Sequence, residues 1–228
     1  MRILDRIGAL TGAAYVVLVL IGNPLSTAGP AGPRPGPHPS QLDIDYYRWL
    51  AGSTSGQLGL SLELLGFAAW VLFVGYLCTR VRAGGWLANA ALVGGVVSIA
   101  VKVASGAPWF AAYGLRNDIS PETARVLGDM NAVAFGLDWL PIGLFVACAA
   151  AAAMMAHVLG RVLGWSGVIA GTVAVVYTAF AGVHVMSASA LPFLLCLLWT
   201  LAVSVRLGIE RTVGEVPVAS LQAAALAV

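Results

Sequence analysis

Six stretches of this sequence, at residues 7–23, 57–79, 86–105, 131–156, 163–186 and 190–206, are apolar for close to the length that crosses a bilayer. A membrane helix needs roughly 20 such residues, because a rise of about 1.5 Å per residue must cover a hydrocarbon core about 30 Å thick. In that solvent the backbone satisfies its own polar groups only as a helix or a closed barrel, and runs this long select the helix. Composition agrees. Hydrophobic residues make up 60% of the 228 and charged ones 10%, with a mean hydropathy of +0.90. A soluble domain carries about 25% charged residues to cover its surface. A soluble enzyme, a secreted disulfide scaffold and a disordered chain are therefore excluded. The expected fold is all-α, a polytopic bundle of about six transmembrane helices. Residues 1–211 form its single domain and 212–228 a cytoplasmic tail.

The first stretch has the layout of a secretory signal, with a basic start, an apolar run and Ser26-Thr27-Ala28 resembling a cleavage site. It is read here as a retained helix. Its Gly8 and Gly12 form a GxxxG pair that permits close helix packing. The net charge of +2 has no basic run behind it and leaves no footprint for nucleic acid. Cys78, Cys148 and Cys196 are widely spaced in apolar runs, and no ligand spacing calls for a metal or a cofactor. The expected partners are the lipid bilayer and a lipophilic small molecule, and homo-oligomerisation is left open.

Arginine sets the orientation. With six spans both termini share a side, and Arg2, Arg6, Arg80, Arg82, Arg161, Arg206 and Arg211 share it with them. Arg34, Arg48, Arg116 and Arg125 fall opposite. By the positive-inside rule both termini are cytoplasmic, which for a bacterial chain means the plasma membrane. The cytoplasmic connections are short. Two outer loops, Asn23–Gly56 and Gly106–Met130, are long, and long loops are commonly functional. Gly29–Pro39 carries five prolines and reads as an extended tether. Ser40-Gln41-Leu42-Asp43 then fits a capping box that opens a short helix through Trp49. Ser120-Pro121 fits the start of another, which could run on into the fourth span. The aromatic residues near Tyr46 and near Trp109 suit lipid-interface anchors.

Against this apolar background three ionisable residues stand out inside spans: Glu63, Lys102 and Asp138, with His184 near the end of a fourth span. Each intramembrane charge costs roughly 2.5–3.5 kcal/mol near a helix centre, so such groups usually face a partner or a cavity. Counted from the outer helix ends, their depths are roughly 8 Å for Glu63, 9 Å for Asp138, 6 Å for Lys102 and 3–5 Å for His184. All four lie in the outer third. Neighbours at i, i+7 share their faces: Asn131 with Asp138, Glu63 with Trp70, and Tyr177 with His184. Trp139 adjoins Asp138, Trp109 lies in the second outer loop, and Ser98 is one turn from Lys102. Pro141 cannot donate to the carbonyl of Leu137, which predicts a kink beside Asp138.

Plainer readings exist for each group. Lys102 could snorkel to the headgroups, Glu63 could act only as interhelical glue, and His184 could be an interfacial side chain without a partner. Similar depth in four helices beneath two long outer loops favours an outward-facing polar pocket instead. Two carboxyls facing one ammonium leave an excess negative charge, so a dry pocket favours one carboxyl as the neutral acid. Glu63 and Asp138 are then the candidate catalytic pair. Lys102, His184, Asn131, Trp139, Tyr177, Trp70 and Trp109 are candidates for binding substrate.

The run Ile119-Ser120-Pro121-Glu122-Thr123, then Leu127-Gly128-Asp129-Met130-Asn131 and Gly136-Leu137-Asp138-Trp139-Leu140-Pro141, resembles a group of uncharacterised small integral membrane proteins of high-GC bacteria. Leu163-Gly164-Trp165-Ser166-Gly167 shares that flavour. The resemblance implies a helical membrane fold and no particular activity. Membrane-bound terpene cyclases are similar in size and also use buried carboxyls, but their motifs are absent around Glu63. The pocket itself suggests an enzyme doing carboxyl-based acid/base chemistry, of a cyclisation, isomerisation or hydrolysis type, on a lipophilic substrate. The alternatives are a small-molecule or proton-coupled transporter, and a non-catalytic sensor or accessory subunit.

Overall fold

The computed structural model describes residues 3–29, 39–181 and 190–209, and among these the chain is all-helical. In chain order the helices are α1 (Ile3–Thr27), α2 (Gln41–Gly52), α3 (Thr54–Arg80), α4 (Trp86–Gly114), α5 (Pro121–Leu137), α6 (Trp139–Met155), α7 (Arg161–Ala181) and α8 (Leu191–Ile209). A single 3-10 turn links α3 to α4. Six segments are long and apolar enough to cross a membrane: α1, α3, α4, α5 with α6 as one unit, α7 and α8. The protein is a multi-pass membrane helix bundle. Its tether Gly29–Pro39 lies almost wholly outside the described residues, as do His184 and the tail 212–228.

The spans close into a ring in chain order. α1 packs on α3, α3 on α4, α4 on α6, α6 on α7, α7 on α8, and α8 returns to α1. In lipid no hydrophobic force drives helices together, so close backbone approach and interhelical hydrogen bonds do the holding. Both are present. A Cβ on Gly59 would lie 2.5 Å from the Ser26 nitrogen and 2.6 Å from the Gly22 oxygen, so α1 and α3 touch backbone to backbone. The ring closes through Ser204 of α8, whose hydroxyl donates to the Ala9 carbonyl and accepts from the Ala13 N–H at 2.7 Å. Trp199 of α8 donates to the Leu163 carbonyl of α7 at 2.9 Å. The GxxxG pair is used within the chain: Gly8 seats the ring of Tyr76 and Gly12 that of Phe73.

These contacts predict opposite signs for two glycine-to-alanine changes on one helix. Gly75 of α3 has open space around its missing Cβ, so Gly75→Ala should stabilise by up to about 1 kcal/mol through helix propensity. Gly59→Ala should destabilise by about 1–3 kcal/mol, because α1 must move away. Thermal unfolding in detergent would read the two shifts side by side.

The outer end departs from expectation. Gly106–Met130 is not a long loop: α4 continues to Gly114 and α5 begins at Pro121, leaving a connection of a few residues. Pro108 does not stop α4. The Ser120 side chain caps α5 as expected, accepting from the Thr123 N–H at 3.2 Å. The capping box at Ser40 does not form, since that residue is itself in a helical conformation and its side chain makes no cap bond. Its hydroxyl donates instead to Glu122 of α5 at 3.3 Å. The aromatic residues are not mainly lipid anchors either. Tyr46 and Tyr47 of α2 are buried with Ile44 and Leu50 in a small second core against α4 and α5, joined by Trp109 and Tyr113. Trp109 and Tyr113 stack at 5.9 Å between centroids, and Tyr47 meets Trp109 edge-on at 5.8 Å. Burial, then the nearby Glu63 carboxyl, pushes the Tyr46 phenol well above its ordinary range, so it remains a neutral donor.

Candidate functional site

Asp138 stands where α5 ends and α6 begins, and local chemistry explains the break. Its own N–H still donates to Ala134 at 3.0 Å, and its carbonyl accepts from Ile142 at 3.1 Å. Pro141 has no N–H for the Leu137 carbonyl, so one rung of the ladder is missing beside the carboxyl. The side chain is turned inward and is only 1% exposed. Its Oδ1 has no hydrogen-bond partner among the described residues. A buried polar atom left unpaired costs about 1–3 kcal/mol, so native structures hold few of them.

Asp138 lines a small cavity together with Lys102 and Ser98 of α4. Because α4 runs on to Gly114 and the fourth span starts at Pro121, Lys102 and Asp138 both stand near the middle of their helical segments and not in an outer third. Tyr15 of α1 and Trp70 of α3 close the cavity's inner end, and their rings meet at 4.7 Å. Below them Trp70 packs edge-on against the fully buried Phe145 at 4.9 Å, which completes an aromatic floor. Phe67 of α3 and Ile99 and Val103 of α4 form the remaining wall. The empty volume is about 300 Å³, part of it at an open mouth. The enclosed part is small, with room for about one or two water molecules, so it can seat a head group but not a whole substrate.

Lys102 does not snorkel. Its Nζ sits 3.7 Å from the ring centroid of Phe135 and 5.8 Å from that of Phe67, so the ammonium is aimed between α3 and α5. Cation–π contacts are worth more where water is excluded. Of the two intramembrane carboxyls, Asp138 lines the same cavity as Lys102 and Glu63 does not. Neither carboxylate forms an ion pair with it within 4.0 Å.

Glu63 is held apart from the cavity. Its carboxylate accepts from the Ser26 hydroxyl at 2.5 Å across the α1–α3 seam. The Ser26 carbonyl in turn accepts from the Tyr46 hydroxyl at 3.0 Å. A continuous set of contacts thus runs from the outer helix α2, through Ser26, to the first intramembrane carboxyl. Ser26→Ala should lower stability by about 1–3 kcal/mol, because Glu63 would lose its charge-assisted donor. A smaller loss for the double variant Ser26→Ala/Glu63→Gln than the two single losses together would confirm that the pair is coupled.

Of the residues singled out in the sequence, Asp138, Lys102 and Trp70 therefore meet at one cavity. Glu63 lies one seam away. Trp139 is buried behind Asp138, between Phe135 at 5.9 Å and Tyr177 at 6.1 Å, and does not line the space. Asn131 is half-buried farther out on α5 and does not line it either. Trp109 belongs to the outer core under α2. His184 is outside the described residues.

Four participants did not emerge from the sequence: Tyr15, Phe67, Phe135 and Ser26. Two were legible. Phe67 stands between Glu63 and Trp70 at i+4, and Phe135 stands between Asn131 and Asp138 in the same way, so each stripe already pointed to its aromatic member. Tyr15 and Ser26 carry no such signal, because a neutral hydroxyl in an apolar helix does not mark its partner. The chain matches no protein-family model, no curated protein and no solved structure.

Proposed function

We propose that the protein is an intramembrane enzyme that moves protons on a lipophilic substrate, with Asp138 as the acid/base group and Lys102 as the group that holds the reacting oxygen. The observation that carries this reading is one cavity lined by both side chains, with Asp138 Oδ1 buried and unpartnered. Stable helix bundles rarely leave a carboxyl oxygen in that state, and a substrate proton would satisfy it.

The arrangement suits isomerisation next to a carbonyl. The Lys102 ammonium hydrogen-bonds to the substrate oxygen. The Asp138 carboxylate removes a proton from the neighbouring carbon, and the C–H electron pair moves into the carbon framework. The resulting enolate carries its charge on the oxygen beside Lys102. Asp138, now a carboxylic acid whose proton exchanges with water at the open mouth, returns a proton to a different carbon and is a carboxylate again. No electrons are gained or lost overall. Ser98 of α4 lines the same space. The aromatic floor keeps water from quenching the intermediate.

The arginine distribution supports cytoplasmic termini, and the resemblance to bacterial membrane proteins supports the plasma membrane as the site of action. A direct test uses the full chain in nanodiscs made from native lipid extract in D2O. Mass spectrometry should find deuterium entering a minor lipophilic component at carbon, and Asp138→Asn should abolish it. Equal incorporation by wild type, Asp138→Asn and Glu63→Gln would overturn the reading.

One observation favours a second reading, a proton-coupled transporter: a protonatable carboxyl stands where one membrane-crossing segment is interrupted. Uptake into proteoliposomes that follows a pH gradient and is lost in Asp138→Asn would support it.

A further inference from the structure

The chemistry and shape of the cavity restrict what it can hold, and this step rests on reading it as a substrate site. Three head-group types could meet Lys102 and Asp138 in a dry space: anionic, cationic and neutral oxygen-bearing. A carboxylate or phosphate only accepts hydrogen bonds. It would satisfy Lys102, but would bring a further negative charge into a space Lys102 already shares with the Asp138 carboxyl. An ammonium only donates. It would satisfy Asp138 Oδ1 while confronting Lys102 with a like charge. A hydroxyl donates and accepts through one atom, so it can answer the unpartnered Asp138 Oδ1 and the Lys102 ammonium together. A ketone oxygen answers Lys102 without adding charge. Burying a charge without full compensation is far more costly than burying either neutral group.

The route in is set by packing. Of the six seams in the ring, the one between α3 and α4 is the least tightly packed. The cavity reaches this seam through Phe67 on one side and Val103 on the other, and Val103 is 71% exposed on the lipid-facing surface. The outer end, by contrast, is covered by α2, whose buried face packs against α4 and α5. The space is small, and of its lining residues Asp138 is buried while Val103 is exposed. We infer that the cavity seats the neutral oxygen head, an alcohol or ketone, of a single-chain lipophile that enters sideways between α3 and α4 and leaves its tail in the bilayer.

Four probes with matched tails separate the possibilities: 1-hexadecanol, 2-heptadecanone, palmitate and hexadecylamine. The full chain in nanodiscs would be equilibrated with each in turn, and retained probe counted by native mass spectrometry. The expected result is retention of one alcohol or ketone with a preference on the order of tenfold or more over the two charged probes. Val103→Trp should abolish retention, whereas Val162→Trp, at an 87% exposed position on α7, should not. Palmitate or hexadecylamine retained as well as the neutral probes would overturn the head-group assignment. Retention unchanged in Val103→Trp would overturn the lateral route, and failure to retain any probe would overturn both. Deuterium incorporation keeps this separate from the catalytic reading. Intact Asp138-dependent exchange with no head-group preference sinks this inference alone, whereas a clear preference with exchange indifferent to Asp138 sinks the acid/base role alone.

Discussion

Asp138→Asn should lower turnover by about 10²–10⁴-fold, the usual contribution of a positioned acid or base, while the protein remains folded. Asparagine keeps the size of the side chain and can still hydrogen-bond, but it cannot take and return a proton. Glu63→Gln should behave differently. Glu63 is hydrogen-bonded to Ser26 across the α1–α3 seam and does not line the cavity. Its loss should shift stability and leave turnover within about tenfold, the change expected from altering the field at Lys102 by a more distant charge. Initial rates of deuterium incorporation for the two variants, normalised to folded protein, would make the comparison. A larger loss in Glu63→Gln than in Asp138→Asn would reverse the assignment of roles.

Lys102→Met should be the most destabilising single change at the site. It leaves Asp138 inside the bundle without the cation that shares its cavity. Removing one member of a contact ion pair in a protein interior costs roughly 3–5 kcal/mol. Lys102 stands off both carboxyls, so about 2 kcal/mol is expected. The instructive variant is the double one, Lys102→Met/Asp138→Leu. Removing both charges together should recover much of the loss, because an apolar pair of similar volume can be as stable as a buried ion pair. Unfolding in detergent for the two singles and the double gives the coupling directly. Strict additivity would mean that Lys102 and Asp138 do not sense each other, and the site as described would dissolve. Neither outcome affects the ring itself, which is held by seams such as Gly59 on Gly22 and Ser204 on Ala9.

The extent to which the site was legible differs by residue. Lys102, Asp138 and Trp70 were marked by charge and helical spacing, and they do meet. Glu63 was marked equally strongly and does not line the cavity. The direction of its side chain depended on which neighbour lay against α3, and the close Gly22–Gly59 approach brought α1 there. Trp109 shows the same limit at the outer end. Aromatic residues beyond a span suit lipid headgroups and a protein core alike, and the choice depended on α2 folding back over α4 and α5. The capping box at Ser40 matched a motif but lost its serine to Glu122, a residue distant in sequence and near in space.

What the sequence by itself determined was the class of fold and the number of crossings. Bilayer thickness and the need to satisfy every backbone group leave a chain with six long apolar runs little other choice. It also determined which residues would be costly in lipid, since a charge there needs a partner wherever it points. Only the tertiary structure decided which of those residues share a space. Helix order around the ring and the rotation of each helix about its axis are set by contacts between distant segments. Small differences in packing between such arrangements leave no trace in hydropathy.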